Sequence, residues 1–202
     1  MSGVADRTEQ RGTGRPRAVA AARRLFVEKG YEATSIQDVI DASQLSRGAL
    51  YHHFAGKAEL FTAVLEEVEG ELFERLMGNA GEATSYREAV RIGALGFLEQ
   101  TLDPAVRRIV LVDAPTAVGW ARWREIDGRY AFGALRAALS GAIESGELEL
   151  DADLAESYTH ILLAALMELG LLVAQAQDPR SAHERATRSI ERLLDGLWGH
   201  PH

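Results

Sequence analysis

Residues 45–54 read Leu45-Ser46-Arg47-Gly48-Ala49-Leu50-Tyr51-His52-His53-Phe54, and Lys57 and Leu60 follow. Serine is a favoured helix cap, so Ser46 is expected to start a short helix over 47–54. Leu50 is its core residue, joined by the ring body of Tyr51 or Phe54. The first outward positions, Ser46, Arg47, Gly48 and Ala49, are small or able to hydrogen-bond. Such residues suit a helix whose N-terminal end enters the DNA major groove. Arg47 has the fork that meets guanine O6 and N7; the plainer reading is a solvated charge. Gly48 costs about 1 kcal/mol of helix propensity against alanine, and its missing side chain allows close approach of the backbone. Ala49 suits a thymine methyl. Tyr51, His52 and Lys57 carry groups that reach phosphate oxygens, fixing register rather than sequence. For Tyr51, a place half in the core is equally open.

Two helical patterns precede this segment. From Pro16 to Gly30, Ala18, Ala22, Leu25 and Phe26 recur on one face, and Lys29-Gly30 supplies a basic last turn and a glycine stop. Thr34-Ser35 then opens a second helix, with Ser35 and Asp38 at capping-box spacing and Ile36, Val39 and Ile40 as its stripe. Three short helices with a tight turn between the last two form a helix-turn-helix unit. The amides at Thr34, Ser35 and Lys57 stand at helix N-termini, where phosphate is favoured. His52 and His53 do not suggest a metal, because adjacent helical side chains diverge by about 100°. One of them is expected to pack on the first helix.

Downstream, Phe61, Val64, Leu65, Val68, Leu72 and Leu76 follow at spacings of three and four, predicting one connecting helix over 57–77. Its other face carries Glu66, Glu67, Glu69 and Glu74. Gly78-Asn79-Ala80-Gly81 is the expected domain boundary. Five more helices are predicted over 85–101, 104–113, 116–145, 153–175 and 179–198. They are separated at Asp103-Pro104, Ala114-Pro115, Ser145-Gly146 and Asp178-Pro179. The expectation is an all-α fold of about nine helices. Residues 1–14 form a disordered arm, 15–56 a helix-turn-helix DNA-binding domain, and 78–202 a helical ligand-binding and dimerisation bundle.

Charge agrees with this division. The 202 residues carry a net −8, yet residues 1–57 hold nine Lys/Arg against six Asp/Glu, a net +3, which leaves −11 elsewhere. A cationic head on an acidic body fits a chain that meets phosphates only at its head. Arg7, Arg11 and Arg15 in the arm could enter a minor groove, with plain disorder as the alternative. Cysteine is absent, which removes disulfides, thiol nucleophiles and Cys-based zinc sites. The polar start lacks the apolar region of a signal peptide, and the stretch 161–174 reads as too short and too charged, through Glu168, to span a membrane. A cytoplasmic protein without a membrane partner is expected. No Gly-x-Ser-x-Gly, P-loop, His-Glu-x-x-His or dinucleotide fingerprint is present, so an enzyme is a distant alternative and neither cofactor nor metal is expected.

The run from Gly30-Tyr31-Glu32-Ala33-Thr34-Ser35-Ile36 through Leu45–54 to Lys57 and Leu60 resembles the DNA-binding region of the tetracycline-repressor (TetR) family. The resemblance covers residues 17–65 in detail; beyond them only the number and order of helices match. It implies a ligand-responsive transcriptional regulator, most simply a repressor released from its operator by a small molecule. An activator or a ligand-independent regulator of the same fold is the alternative. The family's operator contacts carry over to the positions named above. Its ligands lie inside the C-terminal bundle, where Phe97, Trp120, Trp123, Tyr130, Tyr158, His160 and Met167 are candidate liners for an apolar or aromatic effector. Each has plain core as its alternative. Arg108, Arg122 and Arg124 are candidate holders of an acidic effector. In the family the last two helices pair with their symmetry mates, so Leu162, Leu166, Leu169, Leu193, Leu194 and Leu197 are expected at a homodimer interface, some of them also serving the intramolecular core. The expected mechanism is a population shift carried from ligand to DNA by the connecting helix.

Overall fold

The computed structural model describes residues 5–81 and 83–199, with side chains from residue 14 onward except Glu82, Asp127 and Tyr130. Every regular element among the described residues is helical, with no strand. Helix α1 is Ala5–Lys29, α2 Ile36–Ser43, α3 Arg47–His53 and α4 Lys57–Ala80. Helix α5 is Tyr86–Gln100. A π-helical stretch, Val106–Asp113, then runs into the short α6, Ala114–Ala117. Helices α7 (Trp120–Glu144), α8 (Ala155–Gln175) and α9 (Pro179–Trp198) complete the chain.

Local chemistry sets most ends. The Ser35 hydroxyl accepts from the Asp38 amide at 3.1 Å, and the Asp38 carboxylate accepts from the Ser35 amide at 2.8 Å, closing the box that starts α2. Gln44 ends it in a left-handed conformation (φ 56°). Ser46, Ser85 and Asp178 cap α3, α5 and α9 in the same manner, each accepting from the amide three residues on.

Four sequence expectations are corrected. Helix α1 starts at Ala5, well upstream of Pro16, so the arm expected at 1–14 is helical from Ala5. Proline removes one N–H donor but does not forbid the turns before it. Here the upstream turn is braced: Gly14 lies against His53 and Leu45, and the Arg15 guanidinium stands 5.4 Å from the centre of the Phe54 ring. Helix α4 passes through Gly78 and Asn79 to Ala80, beyond the expected stop at 77. The single helix expected over 116–145 is two, because Gly119 adopts φ +81°, a conformation open to glycine that no helix continues through. Finally, Ala152–Gln175 is long and apolar enough to cross a membrane by length and composition, against the sequence expectation, and 22% of its most apolar window is buried. In the fold α8 is a bundle helix packed on α5, α7, α9 and the π-helical stretch, leaving an apolar outer face.

Two cores result. The first joins Ala18, Ala22, Leu25 and Phe26 of α1, Val39 and Ile40 of α2, and Leu50 of α3 to Phe61, Leu65 and Val68 of α4. It continues into Val106, Ile109, Val110 and Leu111 of the π-helical stretch, and ends at Trp123 and Ile126 of α7. The second gathers α5, α7, α8 and α9 around Leu98, Leu139, Leu162, Val173, Ile190 and Leu194. Helix α4 borders both halves, packing on α1 at one end and on α5 and α7 along its length.

Candidate functional site

Helix α3 is held from behind by Leu50 and Phe54, each at most 2% exposed, and turns Ser46, Arg47, Gly48, Tyr51 and His52 outward. Ala49 is half-buried. A Cβ built on Gly48 would meet nothing within 4 Å, so this flank of the helix is open. Arg47 reaches back to α2, donating to the Gln37 side-chain oxygen at 2.9 Å. Gln37 went unmarked in the sequence, where only its exposed place on α2 could have signalled it. Tyr51 resolves as an outward residue, 45% exposed. His53 is the structural member of its pair, half-buried against Gly14, while His52 is exposed.

The residues beside α3 are less available than their types suggested. Thr34 is buried at 1% exposure, its hydroxyl donating to Gly30 O at 2.8 Å and its amide to Tyr31 O at 3.3 Å. It closes the turn after α1 and does not face solvent. Ser35 is exposed, but its amide and hydroxyl serve the capping box with Asp38. Those bonds also hold the Asp38 carboxyl below its ordinary range. Lys57 donates to Tyr31 O at 2.9 Å and to Glu32 O at 3.4 Å, and its ammonium lies 4.2 Å from the centre of the Tyr31 ring. It therefore pins the α1–α2 turn to the start of α4. Burial raises the Tyr31 hydroxyl, helped by the nearby Glu32 charge.

The head is tied to the body by two further polar links. Arg23 of α1 forms a forked pair with Glu71 of α4 at 2.6 and 2.7 Å and also meets Glu67 at 3.1 Å. The bonds from Arg23 hold the Glu71 carboxyl below its usual range. From the π-helical stretch, Asp113 accepts from the Tyr31 amide at 2.7 Å and from Arg108 Nε at 3.1 Å.

In the body, α4, α5, α7, α8 and α9 line a partly open cavity of about 180 Å³. Leu72, Phe73, Leu76, Phe97, Leu135 and Leu166 furnish much of its wall. Of the candidate liners, Phe97 and Met167 reach it. Trp123 is instead wholly buried in the first core, and the 57% exposed Trp120 ring is tilted against it with centroids 4.7 Å apart. Tyr158 packs on the second core, and His160 is exposed beside the Phe132 ring. The Tyr130 side chain lies outside the described residues. Aromatic type was the misleading signal: the wall is mainly aliphatic, and the buried Glu69 (4% exposed) is its acidic member. Arg108 and Arg122 pair with Asp113 and Glu125, and neither they nor Arg124 belong to this wall.

Of the expected interface leucines, Leu162 and Leu194 are buried in the second core and Leu166 faces the cavity. Leu169 and Leu197 are half-buried against the same core. Leu193 is 42% exposed, and Ile161 and Leu172 are 53% and 56% exposed. Helical periodicity could not say which of the several apolar faces of α8 looks outward.

Known proteins share this architecture. A family model described as bacterial regulatory proteins, tetR family, matches residues 18–64, and one described as tetracyclin repressor-like, C-terminal domain, matches residues 87–197. The chain is 28% identical over 131 residues to the transposon Tn10 TetC protein of Escherichia coli, covering 65% of this chain and 66% of that one. It is 28% identical over 116 residues to the HTH-type transcriptional activator FasR of Mycolicibacterium smegmatis, covering 49% and 53%. The matches thus span about two thirds and about half of these curated relatives. A solved TetR-family transcriptional regulator from Pectobacterium atrosepticum superposes with a TM-score of 0.82 at 30% identity, covering 98% of this chain and 99% of that one.

Proposed function

Because the chain belongs to the TetR family of bacterial regulatory proteins, we propose that it is a homodimeric transcriptional regulator that binds operator DNA through α3 and answers to a small molecule held in the cavity. The observation that carries the reading is the outward face Ser46-Arg47-Gly48-Tyr51-His52, presented on a helix anchored by Leu50 and Phe54. Arg47 supplies base readout, while Tyr51 and His52 reach phosphates. Two such helices, about 34–36 Å apart, meet successive major grooves, which requires a second copy. The outer face of α8 and α9, with Ile161, Leu172 and Leu193, is the surface on which that copy packs. The protein works in the cytoplasm, where its DNA is, and carries out no catalysis.

Effector and DNA are joined by one rod. Helix α4 carries Lys57 under the α1–α2 turn at one end and lines the cavity with Leu72, Phe73 and Leu76 near the other. A ligand that prefers one tilt of α4 changes the separation of the two heads. A coupling of about 1–3 kcal/mol is enough to empty or fill an operator over a useful concentration range. Repression relieved by ligand is the primary reading; activation is the alternative, and FasR is a relative named as an activator.

The test is fluorescence anisotropy with labelled DNA from the region flanking the protein's own gene, at several salt concentrations. Specific, saturable binding whose affinity falls steeply with salt supports the reading. Equal binding to that DNA and to random DNA sinks it.

A further inference from the structure

We infer that the cavity takes an uncharged, hydrocarbon-like molecule, a small ring with a short alkyl arm, and ranks its ligands by bulk rather than by polar recognition. The inference rests on the reading of the cavity as an effector site.

The chemistry of the wall excludes the alternatives. Among the described residues, Glu69 is the only wall residue with a polar side chain; the others are alanine, glycine, valine, leucine, isoleucine, methionine and phenylalanine. Glu69 is buried and already engaged within the protein. A ligand carboxylate or phosphate would shed its water with no lysine, arginine or hydroxyl to replace it, and an ammonium group would find no acceptor set aside for it. A ligand hydroxyl fares better than an ion and worse than a methyl group, for the same reason. Binding pockets usually fix orientation with a few placed polar groups. Without them, dispersion contacts and exclusion of water are left to select.

Volume sets the size. An apolar cavity of about 150 Å³ is known to admit benzene, so about 180 Å³ takes a ring with a short arm. Part of that room is left by small residues, Gly93 on α5 and Ala131 and Ala134 on α7; a Cβ built on Gly93 would meet nothing within 4 Å. Filling the space is felt at the head through packing. Leu76, Phe97 and Met167 line the cavity and also pack against the first core, which holds Phe26 and Leu50 behind α3.

Four probes on one frame test this by calorimetry on the full-length protein: ethylbenzene, 2-phenylethanol, 2-phenylethylamine and 3-phenylpropionate. Ethylbenzene is expected to bind most tightly, the alcohol roughly tenfold more weakly, and both ions more weakly still. Toluene should bind about fourfold more weakly than ethylbenzene, the worth of one buried methylene. Gly93→Leu puts a side chain into the open space and improves helix propensity, and it should abolish ethylbenzene binding. Ala134→Leu should do the same from α7. An ion or the alcohol that matches ethylbenzene, toluene that equals it, no binding of ethylbenzene, or undiminished binding in a folded variant overturns the inference. If neither variant folds, the ranking on the parent protein decides alone. Operator binding measured on the same preparation keeps the two readings apart. Intact operator binding without the expected ranking overturns only the ligand class, and the ranking without any change in operator affinity overturns only the effector reading.

Discussion

The carboxylate of Asp113 accepts the backbone amide of Tyr31 at 2.7 Å, across 82 residues of sequence, and joins the π-helical stretch of the body to the turn that ends α1. Arg108 completes the joint. Its Nε donates to the same oxygen at 3.1 Å, and its guanidinium lies over Gly30, where φ is +83° and a Cβ would run into it. The positive φ is what favours glycine there; the Arg108 side chain is flexible enough to move aside.

Asp113→Ala leaves the part-buried Tyr31 amide without its acceptor. It is expected to lower stability by about 1–3 kcal/mol, read as an earlier denaturant midpoint. It should also shrink the ratio of DNA affinities measured without and with ligand, because the joint links the two halves. An unchanged ratio alongside the stability loss would mean the joint only braces the fold.

Arg47→Ala is expected to weaken binding to the preferred site by about 1–3 kcal/mol and to relax selectivity at one base pair, seen by anisotropy on a panel of singly mutated sites. Arg47 must leave Gln37 to reach a base. Gln37→Ala, which releases it, should therefore bind at least as tightly as the parent.

Lys57→Ala removes both a brace and a positive charge. Melting should begin earlier, by the loss of about 1 kcal/mol or less from the contact with the Tyr31 ring. Binding should fall for all sequences alike, with the slope of log affinity against log salt flatter by about one. A sequence-selective loss would contradict the placement.

Glu71→Gln addresses acid stability. The folded carboxyl lies below its ordinary value of 4.5 because Arg23 stabilises the charged form. The unfolded state thus takes up a proton first as pH falls, so the pair's stabilisation is complete above that range and is lost as pH drops through the depressed value. With Glu71 39% exposed, solvent screening limits the effect to about 1 kcal/mol or less. Parent and variant should differ in urea midpoint near neutrality and converge in acid. A gap that widened in acid would contradict the sign.

Leu172→Glu lies on the outer face of α8 and leaves the second core intact. The variant is expected to sediment as a monomer with near-parental helicity and to lose most of its operator affinity. A dimer that survives both Leu172→Glu and Ile161→Glu would place the contact elsewhere.

The head was legible because its signals are local. Ser35 with Asp38, Ser46 before α3, and the stripe Ala18-Ala22-Leu25-Phe26 each act within one or two turns, and each stands where its pattern placed it. The buried place of Thr34 escaped that reading because its hydroxyl answers carbonyls of the preceding helix, which only the turn brings near. The break at Gly119 was missed because a glycine within a helical pattern does not announce its φ. The cavity was the least legible. Its wall draws on five helices, so no window of sequence contains it, and Trp123, the most conspicuous candidate, went to the first core instead.

That first core does not stop where the reading head stops. Phe26 and Leu50 rest on Phe61, and beyond it on Ile109, Trp123 and Ile126 of the sensing half. A fragment cut at residue 56 would be a façade without its back wall, its three helices deprived of most of what they lean on. Evolution of new ligand preferences in such a molecule is never free of consequence for DNA: repacking around Ile109 or Trp123 also moves the foundations under the recognition helix.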